Sequence, residues 1–323
     1  MSQRDRIDPE ARQPLEQLLQ ALPGGFNSIP DITQRRAVVM QMGAASRSAL
    51  EPNPNVAVED RLVPGPEGAP DVPVRIYRPS AVTSELPGIF YIHGGGMALG
   101  SIDSEDLSAA KLSEEVGAVV VSTGYRKAPE ESHPAQLNDC YAALTWMVKS
   151  ANELGVDTER IALYGGSAGG NLTIAVAMTA RDNGFPEINF MMPLYPMIDD
   201  RNETPSSHEI TDIGIWDRSA NIEAWKWFLG DRPADEFSAP SRAENLAGLP
   251  PAFIDVGELD VFRDEDIAFA QKLIQSGVPT EFHIYPGVYH ASETFAPTAA
   301  VSQRMWVNRL AALRTALHPS SAN

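Results

Sequence analysis

Residues 160–178 read RIALYGGSAGGNLTIAVAM. An apolar run leads into two glycines and Ser167, and a helix-like run follows with small residues at its start. The pentapeptide Gly165-Gly166-Ser167-Ala168-Gly169 fits G-x-S-x-G. A pattern this short arises by chance, so its setting has to carry the argument. A sharp strand-to-helix turn holds a serine in a strained conformation, and flanking glycines let neighbouring backbone approach without a Cβ clash. The turn also places Ser167 at a helix N-terminus, where free N–H groups and the dipole favour developing negative charge. Either Ser167 is a nucleophile or it is incidental to a glycine-rich turn.

From about residue 56 the chain alternates short β-like runs with helix-like ones. VAVEDRLV and VPVRIYRP read as two strands joined by a Pro/Gly turn. LPGIFYIHGGG, AVVVSTGYR, RIALYG, INFMMPLYPMI, PAFIDVGELD and EFHIYPG read as further strands. PAQLNDCYAALTWMVKSANELG, AGGNLTIAVAMTARDNG, DEDIAFAQKLIQSG and the tail AAVSQRMWVNRLAALRTAL carry apolar residues at helical spacing, the first stopping at Gly155. Near-continuous Val/Ile/Leu/Phe runs alternating with helices predict an α/β fold, a mostly parallel sheet covered on both faces. Residues 1–50 and 200–245 break the alternation. Both are helix-like, and the second carries Trp216, Trp225, Trp227 and Phe228. They are expected to pack together as a helical cap over one end of the sheet, leaving 51–199 and 246–323 as the main domain. A cap would exclude water and shape a pocket.

Composition narrows the function classes. The 323 residues include 43 Asp and Glu against 25 Lys and Arg, a formal charge of −18. A surface this acidic repels phosphate, so nucleic acid and anionic membranes are not expected partners. The one cysteine, Cys140, allows no intrachain disulfide and lies in a helix-like stretch that suits a core position. No Cys/His cluster has metal-site spacing, and no G-x-x-x-x-G-K-[ST] or G-x-G-x-x-G occurs. Without a long apolar run or a signal-peptide core at the N-terminus, the chain reads as soluble and cytoplasmic.

A serine hydroxyl needs a base. Of the six histidines, His290 follows a strand in YPGVYHASETF, and strand C-terminal ends are where sites form in parallel sheets. His283 lies inside that strand and reads as packed. His318 is near the tail and reads as solvated, while His133 and His208 have no comparable position. The base needs an acid to orient it. In DVGELDVFRDEDIAFAQKL, Asp255 reads as strand and Asp264–Asp266 as a first helical turn. Glu258 and Asp260 fall on the loop between, where position alone does not choose. The oxyanion needs donors, and His93-Gly94-Gly95-Gly96 ends an early strand with side-chain-free backbone.

Taken together, these motifs resemble the hormone-sensitive-lipase-like esterases of the α/β-hydrolase superfamily, from about residue 70 to 295. HGGG at 93–96 is similar to the family's oxyanion motif, GYRKAPEESHPAQLNDCYAALTWM to its Y-R-x-A-P-E segment, and GGSAGGNL to its nucleophile elbow. GLPPAFIDVGELDVFRDED resembles the segment carrying the triad acid, here Asp260, and GVYH the segment carrying the triad histidine, here His290. The resemblance implies oxyanion donors at Gly95, Gly96 and Ala168, a structural role for His93, and no cofactor. It also implies short- to medium-chain ester substrates, a cap, and a homodimer through an edge strand. Met97 and Trp216 are expected in the substrate pocket. Three positions depart from the pattern: Gly166 stands where the family has Asp, Val261-Phe262 where it has Pro-Leu, and Met97 where it has an aromatic. A catalytically silent binding protein on the same fold, like the gibberellin receptors, is the alternative. Those receptors replace the triad histidine, which this chain keeps.

Overall fold

A computed structural model describes residues 3–48, 53–213 and 215–319. Eight strands form one sheet: Val56–Val63 (β1), Val72–Pro79 (β2), Leu86–Ile92 (β3), Val119–Thr123 (β4), Val156–Gly166 (β5), Phe190–Leu194 (β6), Ala252–Leu259 (β7) and Thr280–Tyr289 (β8). Their spatial order is β1-β2-β4-β3-β5-β6-β7-β8. The β1–β2 pair is an antiparallel hairpin in register from Val56 opposite Pro79 to Val63 opposite Val72. β2 runs antiparallel to β4, and every later pair is parallel. This is the mostly parallel α/β sheet expected from the alternation of apolar runs, in the α/β-hydrolase arrangement that the motif resemblance implies.

The inner strands are apolar on both faces because both faces are covered. In β3, Phe90 and Ile92 join one apolar layer while Ile89 and Tyr91 join the other. In β5, Ile161 and Leu163 face the first layer, Ala162 and Tyr164 the second. Cys140, Leu144 and Met147 of helix Ala135–Lys149 and Leu172 and Val176 of helix Ala168–Asn183 fill the first layer. Leu310, Leu313 and Leu317 of helix Ala300–Leu317 fill the second.

Several boundaries differ from the sequence reading. The helix expected to end at Gly155 breaks at Ser150 and resumes as Ala151–Leu154, with Gly155 in the left-handed conformation (φ 62°) that glycine adopts at no steric cost. β6 stops at Leu194 because Tyr195 turns to φ 33°. β7 continues through Glu258 to Leu259, so Glu258 is a strand residue and not a loop residue. β8 runs on past Gly287 to Tyr289.

These strand ends place the chemistry. His93, Ser167, Asp260 and His290 are each the first residue after β3, β5, β7 and β8, at the C-terminal edge of the parallel sheet.

The N-terminal segment contains helices Pro9–Ala21 and Ile32–Ser48, and the mid-chain insert contains Pro205–Glu209 and Arg218–Leu229. Arg35 pairs with Glu223 at 2.7 Å, and Arg6 with Glu209 at 2.8 Å, so the two segments touch. Arg36 donates to the carbonyls of Ala98 and Ala128, each at 2.7 Å, tying the first segment to the loops after β3 and β4. Trp225 and Phe228 are buried helix-packing residues.

Candidate active site

The turn after β5 has the strained geometry its sequence suggests. Ser167 sits at φ 59°, ψ −119°, a conformation that costs a non-glycine residue about 1–3 kcal/mol and persists only where its surroundings enforce it. Its N–H donates to the Leu194 carbonyl at 2.9 Å. Its own carbonyl accepts from the N–H groups of Asn171 (3.0 Å) and Met197 (3.1 Å). The helix starts so close to β3 that a Cβ on Gly169 would lie 2.1 Å from the Ile92 carbonyl oxygen, so only glycine fits there.

Ser167 Oγ lies 3.0 Å from His290 Nε2, and His290 Nδ1 lies 2.8 Å from Asp260 Oδ2. The carboxylate can only accept, so Nδ1 carries the proton, and in the neutral ring Nε2 is left to accept from the serine hydroxyl. Asp260 is fully buried, and its other oxygen accepts from the Phe262 N–H at 3.0 Å. The imidazole is enclosed by Tyr195 (5.0 Å between ring centres, edge-on), Phe262 (5.1 Å, edge-on) and Trp216 (6.3 Å).

The loop after β3 lies against this pair. A Cβ on Gly94 would be 3.6 Å from Ser167 Cβ. Gly95, Gly96 and Met97 all have positive φ (111°, 58° and 61°), so the backbone curls, and the N–H groups of Ala98 and Leu99 close on the Gly95 carbonyl. Among the described residues, no backbone acceptor outside helices and strands takes the N–H of Gly95 or Gly96. Ala168 opens its helix, where the first N–H groups have no intrahelical partner. Met97 is fully buried. Trp216 covers Gly96 so closely that a Cβ there would meet the indole at 2.2 Å. The indole is held by its N–H to Asn221 Oδ1 (3.3 Å), and Asn221 donates in turn to Asn202 Oδ1 (2.6 Å).

His93 is fully buried and stacks on Tyr125 at 4.2 Å. Its Nδ1 donates to the Gly94 carbonyl at 2.8 Å. Burial, with the nearby Lys127 charge adding to it, pushes its pKa down to about 3. It is therefore a neutral strut of the glycine loop.

Other acids and histidines have separate partners. Glu258 accepts from Arg6 (2.5 Å) and the Gly287 N–H (3.0 Å), away from His290. His283, expected to be packed, keeps about a third of its side chain exposed and pairs with Glu281. His318 is exposed and lies 2.8 Å from the Val116 carbonyl. His133 is buried beside Phe228, 3.4 Å from Asp235. Cys140 is buried, as a core residue should be. Among the described residues no group of three or more His, Cys, Asp or Glu could hold a metal, and no helix is long and apolar enough to cross a membrane. The sequence reading missed Tyr195, whose ring packs edge-on against His290, and Glu293 and Arg309, which contact Tyr195 in turn; no motif or spacing marks them.

Residues 89–294 match the family described as alpha/beta hydrolase fold. The chain belongs to this family, in its hormone-sensitive-lipase-like branch, and is a carboxylic-ester hydrolase. Among its relatives, it is 36% identical over 321 residues to carboxylesterase NlhH of Mycobacterium tuberculosis, covering 98% of each chain. It is 36% identical over 273 residues to esterase LipI of the same organism, covering 82% of this chain and 84% of LipI. The solved structure titled bacterial heroin esterase superposes with a TM-score of 0.90 at 37% identity, covering 97% of this chain and 98% of that one.

Proposed function

We propose that Ser167, His290 and Asp260 form a catalytic triad that hydrolyses short- to medium-chain carboxylic esters through an acyl-enzyme. One observation carries the reading: a strained serine at a strand-to-helix turn donates to a histidine whose other nitrogen is held by a buried carboxylate, at 3.0 and 2.8 Å. Ser167 Oγ attacks the ester carbonyl carbon while its proton passes to His290 Nε2. Asp260 keeps the Nδ1–H tautomer and stabilises the imidazolium. The carbonyl oxygen becomes an oxyanion held by the N–H groups of Gly95, Gly96 and Ala168. The tetrahedral intermediate collapses, and His290 gives its proton to the departing alkoxide, which leaves as the alcohol. Water, deprotonated by His290, then attacks the acyl-serine, and the acid leaves as Ser167 regains its proton. No cofactor enters any step.

The segments 1–50 and 200–245 act as a cap; the contacts Arg35–Glu223 and Arg6–Glu209 support this division. Trp216, delivered by the insert onto Gly96, and the buried Met97 bound the acyl side and favour small substrates. The acidic surface argues against nucleic acid as a partner. A homodimer would use the open edge at β8, where Ile284 is exposed; gel filtration or analytical ultracentrifugation tests it.

A fluorophosphonate should label one equivalent of protein at Ser167. Peptide mapping that finds the label on another serine, with activity lost, overturns the assignment. The alternative of a silent binding protein is not favoured, since the serine, histidine and acid are all present.

A further inference from the structure

We propose that Tyr195, anchored by Glu293, Arg309 and Asp255, is a positioning residue that holds the His290 imidazole on Ser167, and that Gly166 provides the space its ring occupies. The proposal rests on the reading of His290 as the general base.

Tyr195 is the first residue after β6 and has φ 33°, left-handed backbone that a bulky residue adopts only when its surroundings enforce it. Three contacts enforce it here. Its N–H donates to the Asp255 carbonyl at 2.7 Å, its hydroxyl donates to Glu293 Oε1 at 2.8 Å, and the Arg309 guanidinium lies 5.6 Å from its ring centre. The result of that strain is an aromatic ring set nearly perpendicular to His290, 5.0 Å away.

The anchor is itself rigid. Arg309, on the C-terminal helix, is almost fully buried and binds both oxygens of Asp255, at 2.7 and 3.0 Å, and Glu293 at 2.7 Å. Asp255 belongs to β7, which ends next to Asp260, and Glu293 lies three residues beyond His290. One buried guanidinium thus joins β7, the His290 loop and the C-terminal helix. A buried ionic network is weak evidence for stability, because desolvation offsets most of its attraction; fixing one geometry is the better-attested use.

Gly166 completes the arrangement. A Cβ at this position would lie 3.1 Å from both Cε2 and the hydroxyl oxygen of Tyr195. A side chain here obliges the ring to give by a few tenths of an ångström. With Phe262 on another side of the imidazole and Asp260 on Nδ1, the ring leaves His290 little room to swing off Ser167. Misplacing a reacting group by about 1 Å can cost about 10²-fold in rate.

The test compares Tyr195→Phe, Tyr195→Leu, Glu293→Gln, the double variant Tyr195→Phe/Glu293→Gln, and Gly166→Ala. Each is assayed for kcat and KM on p-nitrophenyl acetate and for the rate of fluorophosphonate labelling. Tyr195→Leu should lower kcat by about 10–100-fold with KM nearly unchanged, and labelling should slow in parallel. Tyr195→Phe, which keeps the ring, should recover most of that loss. The double variant should be no worse than the poorer single, because both act on ring position through the one Tyr195–Glu293 contact. Gly166→Ala removes no contact of the ionic network, so it keeps the test open if Tyr195→Leu fails to fold; it should lower kcat with KM unchanged. Wild-type kcat and labelling rate in folded Tyr195→Leu or Gly166→Ala overturn the proposal while leaving the triad intact. A wild-type label away from Ser167 instead overturns the triad reading itself.

Discussion

Asp260→Asn should lower kcat by about 10³–10⁴-fold, whereas Glu258→Gln should change it by no more than about twofold. The difference follows from what each carboxylate binds. Asp260 Oδ1 accepts the Phe262 N–H and Oδ2 accepts the His290 Nδ1–H, both in a fully buried place. An amide offers one acceptor and one donor. If its oxygen stays on the Phe262 N–H, its NH₂ faces His290 Nδ1, which must then give up its proton. The proton moves to Nε2, and Nε2 can no longer accept from Ser167. The flipped amide restores the tautomer but sets NH₂ against the Phe262 N–H, two buried donors face to face, at about 1–3 kcal/mol. The inactive tautomer is therefore favoured by one to two decades. Loss of the charge that steadies the imidazolium adds the rest. The total, at about 1.36 kcal/mol per decade, is about 4–5.5 kcal/mol of barrier.

Glu258 offers a contrast within two residues. It is about a third exposed and binds Arg6 and the Gly287 N–H, so its loss weakens a surface pair worth up to about 1 kcal/mol. The assay is steady-state hydrolysis of p-nitrophenyl acetate, with circular dichroism and melting curves to establish that both variants fold. Near-normal turnover in Asp260→Asn together with an inactive, folded Glu258→Gln would refute the reasoning.

Further outcomes test other parts of the molecule. Trp216→Ala should shift the best p-nitrophenyl ester to longer acyl chains, each added methylene gaining up to about fourfold in kcat/KM from about 0.8 kcal/mol of burial; an unchanged chain-length profile removes Trp216 from the pocket. His93 is held neutral to about pH 3, while an unfolded histidine takes up its proton near 6.5. The unfolded state therefore binds more protons in that window, and His93 makes stability fall as pH drops from about 6.5 toward 3, by up to about 1.36 kcal/mol per pH unit. Denaturant melts at several pH values should show a shallower slope for His93→Gln, and equal slopes would refute the account. Gly169→Ala should yield no soluble enzyme, because its Cβ would meet backbone at 2.1 Å, while Gly68→Ala, which has open space and bears only the strain of its left-handed φ of 76°, should fold; soluble, active Gly169→Ala would contradict the close helix–strand contact.

Much of this was legible in the chain because it is locally encoded. The parallel sheet follows from apolar runs that must bury both faces, and helix Ala168–Asn183 begins where G-x-S-x-G says it should. His290 could be singled out by its place beyond a strand. The supports behind the site left no such trace. Tyr195, Glu293 and Arg309 lie on three segments up to 114 residues apart, and each reads locally as an ordinary strand-end, loop or helix residue. Only folding brings them together, and the positive φ of Tyr195 and of Ala291, beside His290, marks the place as strained.

The choice between Glu258 and Asp260 shows where local reading stops. As a sequence, PAFIDVGELD does not say where its strand ends, so both acids look like loop residues. The end of β7 is set by its neighbour. β8 continues past Pro286 and Gly287, and after an irregularity at Gly257 the register places Leu259 opposite Tyr289. Glu258 is thereby kept inside the strand, where its carboxylate accepts the Gly287 N–H of that same neighbour. Asp260 and His290 become the next residues along two adjacent parallel strands, leaving the sheet side by side. Their 2.8 Å hydrogen bond is the continuation of the strand pairing by side chains once the backbone ladder has stopped. A one-residue slip of β8 against β7 would send the following residue to the opposite face and separate the pair. The carboxylate that meets His290 is thus selected by a register between segments about thirty residues apart, which no pattern within either segment contains.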